Sequence, residues 1–181
     1  MKTATQNLED DHAFILQLTD VMELMVNQQT KSIQDIETVL SLIRNYADGF
    51  HHAKEENLLF PLMTQKGFST EQGPIAVMLS DHDEGRKFVG AMDAGIKQFS
   101  AGDTEALNMV YENMLGYSQL LKSHIAKENN VLFRMADKVL SDTEQEQLLT
   151  EFGEIEQKEE FKTKVAVYKS DIERLKLTYR A

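Results

Sequence analysis

The sequence predicts an all-α protein: an antiparallel up-down-up-down four-helix bundle followed by a C-terminal helical extension. Three observations lead there. Apolar residues recur at steps of three and four through four long segments, the spacing that lines one face of a helix. Only two prolines interrupt 181 residues that are 41% hydrophobic and 27% charged, the composition of a helical globular chain. The connections between the periodic segments are short, which sets consecutive helices side by side and antiparallel. Residues 1–140 are expected to form the bundle and 141–181 the extension.

The first helix is predicted from Thr5 to Gln29 on the stripe Leu8, Ile15, Leu18, Val21, Met22, Met25, with His12 near its start. Ser32, three residues before Asp35, resembles an N-cap; behind it Ile36, Leu40, Ile43, Ala47, His51, Glu55, Leu58 and Leu62 carry a second helix to Lys66, where Gly67 stops it. Pro74 suits the first turn of a third helix, where its missing N–H leaves no bond unmade. Its stripe of Ile75, Met78, His82, Val89, Met92, Ile96 and Phe99 reaches Ser100. Gly85, Gly90 and Gly95 interrupt it at roughly 1 kcal/mol each relative to alanine. Close packing, or space beside His82, is expected to compensate. Asp103 is placed to cap a fourth helix, in which Leu107, Val110, Met114, Tyr117, Leu121, His124, Glu128, Val131 and Met135 lead to Val139. Ser141 with Glu144 makes a capping box for a fifth helix through Leu148, Phe152 and Ile155. A break between Gly153 and Glu160 then precedes a last amphipathic segment with Phe161, Val165, Tyr168, Ile172 and Leu175. Cover for the bundle, or the contact of a homodimer, is its expected role.

A net charge of −11 without any dense basic stretch repels phosphate backbones and anionic bilayers, so neither nucleic acid nor membrane is an expected partner. The first residues lack the apolar core of a signal peptide and no apolar run reaches the length of a membrane span, so a cytoplasmic address is expected. With no cysteine, thiolate chemistry is excluded, and any metal must be held by histidine and carboxylate.

The stretch from His51 to Phe60 returns from His124 to Phe133, both reading His-x-x-Lys-Glu-x-Asn-[Leu/Val]-Leu-Phe. A histidine four residues before a glutamate puts both side chains on one helix face, one turn apart. At about 1.5 Å per residue, His12 lies roughly 10 Å and His82 roughly 13 Å from the starts of their helices, while the two His/Glu pairs lie roughly 16 to 22 Å from the ends of theirs. Starts of odd helices and ends of even ones meet in an antiparallel bundle. His12, His51, Glu55, His82, His124 and Glu128 therefore fall in one slab. Asp11-His12 and Asp81-His82 stand seventy positions apart and the two His-x-x-Lys-Glu elements seventy-three, so the first helix pair reads as a rough copy of the second. Two metals bridged by two glutamates is the natural occupancy. Imidazole and carboxylate suit iron, manganese, zinc or copper, and a redox metal, iron first, gives the reason for a buried bridged pair.

His52 and Glu56 form a second i, i+4 pair about 100° around the helix from His51 and Glu55. An unbroken 3.6-residue period places them at the margin, as second-shell residues or, for Glu56, an extra ligand. Arg86, one turn after His82, is expected to pair with a carboxylate such as Glu9, one turn before His12. Tyr117 is expected to pack, or to donate a hydrogen bond near the site. Lys54 and Lys127 are expected to point away from the axis and to pair with nearby acids.

These residues resemble the hemerythrin-like, HHE cation-binding proteins of the single-domain prokaryotic type. The resemblance covers roughly residues 8 to 140. It rests on Asp11-His12, on His51-His52-x-Lys-Glu-Glu with Leu59-Phe60-Pro61, on Gly73-Pro74 through Asp81-His82 to Gly85-Arg86, and on His124 with Glu128. It implies a non-haem di-iron centre, oxo- or hydroxo- and carboxylate-bridged, with the four histidines as terminal ligands and both glutamates as bridges; zinc and manganese are the alternatives. Oxygen-carrying members have another histidine one turn after the third-helix one, where this chain has Arg86. The implied function is binding of O2, NO or a related small oxidant such as peroxide, for sensing, storage or delivery. The alternative is a di-iron redox enzyme acting on peroxide or nitric oxide, or an iron donor for repair of iron centres.

Overall fold

A computed structural model describes residues 2–180, with the backbone alone at Glu160; Met1 and Ala181, the outer limits of the two expected segments, lie outside the described residues. The described chain is all-helical. Thr3 opens α1 (Ala4–Asn27) with a capping box, its hydroxyl accepting from the Gln6 N–H at 3.2 Å while the Gln6 side chain accepts from the Thr3 N–H at 3.0 Å. Ser32 caps α2, residues 33–65, by accepting from the Asp35 N–H at 3.3 Å. Pro74 starts α3 (Pro74–Ser100). The fourth helix, α4, spans 106–139. It begins three residues beyond Asp103, whose carboxylate accepts from the Glu105 N–H at 3.1 Å and closes a turn instead of capping the helix. Ser141 and Glu144 form the expected capping box of α5 (Asp142–Gln157), which runs through Gly153. The break narrows to Lys158, with φ −59° and ψ 127°, before α6 (Glu159–Thr178).

Three stretches depart from the α-helical period. Ile43–His52 and Glu55–Leu59 in α2, and Glu128–Leu132 in α4, are π-helical, with wide turns closed by i→i+5 hydrogen bonds. Both copies of the repeated motif thus enter a wide turn at their glutamate. Each wide turn rotates the following side chains relative to a 3.6-residue stripe.

Helix α1 packs against α2 and α4, and α3 against the same two. Their apolar stripes make two separate cores. One, at the start of α1, gathers Leu8, Leu59, Phe60, Met63, Ile75, Met78, Leu132 and Phe133. The larger one holds Ile15, Leu18, Ile43, Val89, Met92, Val110, Met114 and Leu121. Along α1, α2 and α3 the buried histidines and glutamates fall between the residues of these two cores, and in α4 His124 and Glu128 flank Ile125 at the edge of the larger one. Gly95 lets α3 approach α4, since a Cβ there would lie 2.7 Å from Val110 and 3.2 Å from the Ala106 carbonyl. Gly85 similarly faces the Tyr117 ring at 3.3 Å, whereas a Cβ on Gly90 would meet nothing within 4 Å. Packing explains the first two glycines and not the third.

The last two helices complete the cores. Leu148 and Phe152 close the first, and Tyr168, Ile172, Leu175 and Tyr179 join the second. Polar anchors fix them: the Tyr179 hydroxyl donates to Asp35 at 2.6 Å, Arg174 donates to the same carboxylate at 2.7 Å, and the Gln145 side chain accepts from the Ala4 N–H at 2.9 Å. No helix among the described residues is long and apolar enough to cross a membrane.

Candidate metal centre

The layer between the two cores is polar and buried. His12, His51, His82 and His124 are at most 2% exposed, and Glu55 and Glu128 are fully buried. The histidines converge in pairs through Nε2, at 2.9 Å for His12 and His51 and 3.2 Å for His82 and His124. The two carboxyls lie between the pairs. Glu55 places one oxygen 3.6 Å from His51 Nε2 and the other 3.6 Å from His82 Nε2. Glu128 Oε2 lies 3.2 Å from both His12 Nε2 and His124 Nε2. The structure therefore brings all six predicted residues together, each carboxyl spanning the two pairs.

Outside this layer every ring is held through Nδ1, and the duplication repeats in detail. His51 donates to Asp11 and His124 to Asp81, each at 3.2 Å. Lys54 binds Asp11 at 2.6 Å, and Lys127 binds Asp81. His12 donates to Asn129 at 2.7 Å and His82 to Glu56 at 2.6 Å, each taking its partner from the other copy of the motif. The stacked phenyl rings follow the same crossing, Phe133 on His12 and Phe60 on His82. Because carboxylates only accept, each Nδ1 facing one carries the proton and each Nε2 turns a lone pair inward. Sequence reasoning missed Asp11, Asp81 and Asn129 in these roles. The signal was present for two of them, in the aspartate that precedes the histidine in both odd helices.

Two expectations need correction, and a third is met in an unexpected setting. His52 is not marginal: within the π-helical stretch it turns inward with His51, its ring buried and stacked on His82 at 3.7 Å and 13°. The wide turns break the 3.6-residue period on which the marginal placement relied. Arg86 does not meet Glu9, because α3 packs on α2: its guanidinium donates to Asp48 and to Glu56, both at 2.7 Å, and to Asp83 at 3.2 Å. Glu9 is bound by Arg134 instead. Lys54 pairs with acids as expected, with Asp11 and with Glu156 of α5 at 3.1 Å, but it is fully buried, also donating to Asn7 at 2.9 Å with the rings of Phe50 and Phe152 beside it. Glu56 keeps its marginal place, one oxygen shared by His82 and Arg86. Tyr117 is buried, packs on Gly85 and lines a cavity of about 230 Å³ that reaches His52 and His82 between Asp48, Arg86 and Gly90.

Burial governs the charge state of the layer. It lowers His51 and His52 well below 6.5, brings His124 down to about 4, and lowers His12 as well. It pushes Glu128 up to about 8 and Glu55 well above 4.5, the latter with help from the Glu128 charge. With each Nδ1 bound outward, the paired Nε2 atoms face one another across about 3 Å, and no oxygen of either carboxyl has a hydrogen-bond partner. Buried polar atoms left in that state are costly. A cation between them satisfies all at once, and the donors His12, His51, Glu55 and Glu128 lie within 4.8 Å of one another, as do those of His52, Glu55, His82 and His124. A third such group, Asp48, His52 and Glu56, already meets the Arg86 cation.

A helical protein whose buried imidazoles and carboxyls converge on one layer is, by its chemistry, a cation binder. The chain belongs to the hemerythrin family: the Hemerythrin HHE cation binding domain matches residues 3–136. Among curated proteins it is similar to the iron-sulfur cluster repair protein YtfE, at 36% identity over 89 residues for Escherichia coli O157:H7 and 39% over 92 residues for Shigella boydii serotype 18. Each match covers 48% of this chain and 40% of the relative, so the likeness spans two-fifths of their length. No solved structure matches.

Proposed function

We propose that this protein binds a pair of iron ions, with His12 and His51 holding one, His82 and His124 the other, and Glu55 and Glu128 bridging them. We further propose that the centre takes up O2, NO or a related small oxidant for sensing, storage or delivery. The observation that carries the reading is the pair of unpartnered carboxyls that span the two histidine pairs, Glu55 with one oxygen toward each pair and Glu128 with a single oxygen between them. Six ligands on four helices of an antiparallel up-down-up-down bundle suit this chemistry.

A reduced iron pair, when bound, supplies electrons to a small oxidant at an open position. The chain's own residues set the terms. The Nδ1–H bonds to Asp11, Asp81, Glu56 and Asn129 fix ring orientation and make the Nε2 donors more basic. The cavity gives a small molecule a route to one side, past the apolar walls of Ile43, Val89 and Tyr117. The two cores exclude bulk water from the layer.

The test is metal analysis after anaerobic loading with ferrous iron. Wild-type chain is expected to hold about two irons, and His51→Ala and His124→Ala less; unchanged content in either variant would refute the assignment. Repair of damaged iron centres is the second reading, motivated by the name of the YtfE relatives. It predicts that loaded protein passes iron to a metal-free acceptor faster than it releases iron to buffer.

A further inference from the structure

We propose that His52 is a fifth histidine ligand, joining His82 and His124 at the ion on the cavity side, so that the two ions of the pair are unequal. The inference rests on the metal-pair reading above and adds a ligand to it. Four observations lead to it.

The His52 side chain is more than nine-tenths buried, and its Nε2 has no hydrogen-bond partner. Its Nδ1 faces Asp48 at 3.4 Å, which leaves Nε2 as the nitrogen with a free lone pair. A ring that merely filled space would be satisfied by an apolar side chain, and the duplicated motif has one there: the position equivalent to His52 is Ile125.

His52 and His82 are also held as a pair. Their rings stack nearly parallel at 3.7 Å. Each turns Nδ1 outward to its own carboxylate, His52 to Asp48 and His82 to Glu56, and one Arg86 nitrogen donates to both carboxylates at 2.7 Å. Arg86 thereby clamps the outer ends of both rings. It is a positioning residue, acting through Asp48 and Glu56.

Finally, ligand atoms of His52, Glu55, His82 and His124 lie within 4.8 Å of one another. Ligands at about 2.1 Å from a common ion stand no more than about 4.2 Å apart, so shifts of a few tenths of an ångström close the group. The other group has His12 and His51 as its only imidazoles, together with Glu55 and Glu128. One ion would carry three imidazoles and its neighbour two.

The experiment compares wild type with His52→Phe, which keeps a stacking ring without a donor nitrogen, and with His52→Ala. Each is loaded anaerobically with ferrous iron enriched in the Mössbauer isotope, titrated against a chelator, and oxidised for Mössbauer spectra, with circular dichroism as the check on folding. Wild type is expected to show two unequal iron sites. Both variants should keep one site within about threefold and weaken the other by at least about tenfold, the order expected when a metal site loses a supporting group. Added imidazole should restore the weakened site in His52→Ala. Wild-type affinities and an unchanged spectrum in folded His52→Phe would overturn the proposal. Failure of wild type to bind two ions would instead overturn the underlying reading, and this proposal with it.

Discussion

The two copies of the His-x-x-Lys-Glu motif build the same layer and then part company at its edges. In the first copy Lys54 is fully buried, joined to Asp11 and Glu156 and covered by Phe152 of α5. In the second, Lys127 makes the equivalent bond to Asp81 while its side chain stays 39% exposed. The first flank is covered by the C-terminal helices, and the cleft there is lined by Asp11, Tyr46, Phe50 and Glu156 but by none of the histidines. The flank beside Arg86 faces a cavity lined by His52 and His82 themselves. A duplicated scaffold thus supplies two similar sets of donors, and what packs around them decides which set a small molecule can reach.

Glu55 and Glu128 touch both halves, so changing either should abolish the comparison. Glu55→Gln or Glu128→Gln is expected to weaken uptake of both ions by more than about 100-fold, beyond the 10- to 100-fold typical of outer partners. Metal analysis and the melting temperature of the metal-free variant check this. Folding should survive, because the buried carboxyls are already held toward the protonated form that glutamine imitates.

The lysines sharpen the contrast. Lys54→Met strands Asp11 in a buried setting, removes a partner from the more exposed Glu156, and should destabilise by about 3–5 kcal/mol. Lys127→Met, at a half-exposed pair, should cost about 1 kcal/mol or less. Urea unfolding of the two variants gives the comparison directly, and equal losses would mean that the seal over the first flank is immaterial.

A smaller effect follows from pH. Glu128, raised to about 8, holds a proton in the folded metal-free state that the unfolded chain releases near 4.5, so its contribution to stability falls as pH rises through that window. His124, lowered to about 4, acts oppositely, and its contribution is lost as pH falls from 6.5 toward 4. Above pH 6.5 the effect of the raised carboxyls remains, Glu128 and, in the same direction, Glu55. The metal-free melting temperature should therefore decline between pH 6.5 and 8 on their account, while metal affinity rises because fewer protons must be displaced. Melting curves with and without metal across that range check both signs.

The smallest change should be kinetic. Gly90 lines the cavity, and a Cβ there meets nothing within 4 Å. Gly90→Leu should fill the passage, slow NO binding to loaded protein, and leave iron content unchanged. Helix stability should rise by up to about 1 kcal/mol from the lost glycine. Stopped-flow mixing separates the two effects.

Much of this arrangement was legible in the sequence, for local reasons. The i, i+4 spacing of His51 with Glu55 and of His124 with Glu128 put the pairs on one face, and counting from helix ends put them level with His12 and His82. Capping residues at Ser32, Pro74 and Ser141 marked where three helices start. What stayed hidden depends on departures from the regular period or on which helices touch. The inward turn of His52 needs the π-helical backbone of Ile43–His52, which no 3.6-residue count anticipates. The choice of Asp48 and Glu56 over Glu9 by Arg86 depends on α3 lying against α2. Burial of Lys54 depends on α5 folding back to place Glu156 and Phe152 over it.

The most direct test is the iron content of wild-type protein loaded anaerobically with ferrous iron, followed by its optical spectrum on exposure to air. A carboxylate-bridged pair predicts about two irons per chain and a charge-transfer absorption that is absent from the Glu55→Gln variant. One metal or none per chain, or the same spectrum from that variant, would contradict it.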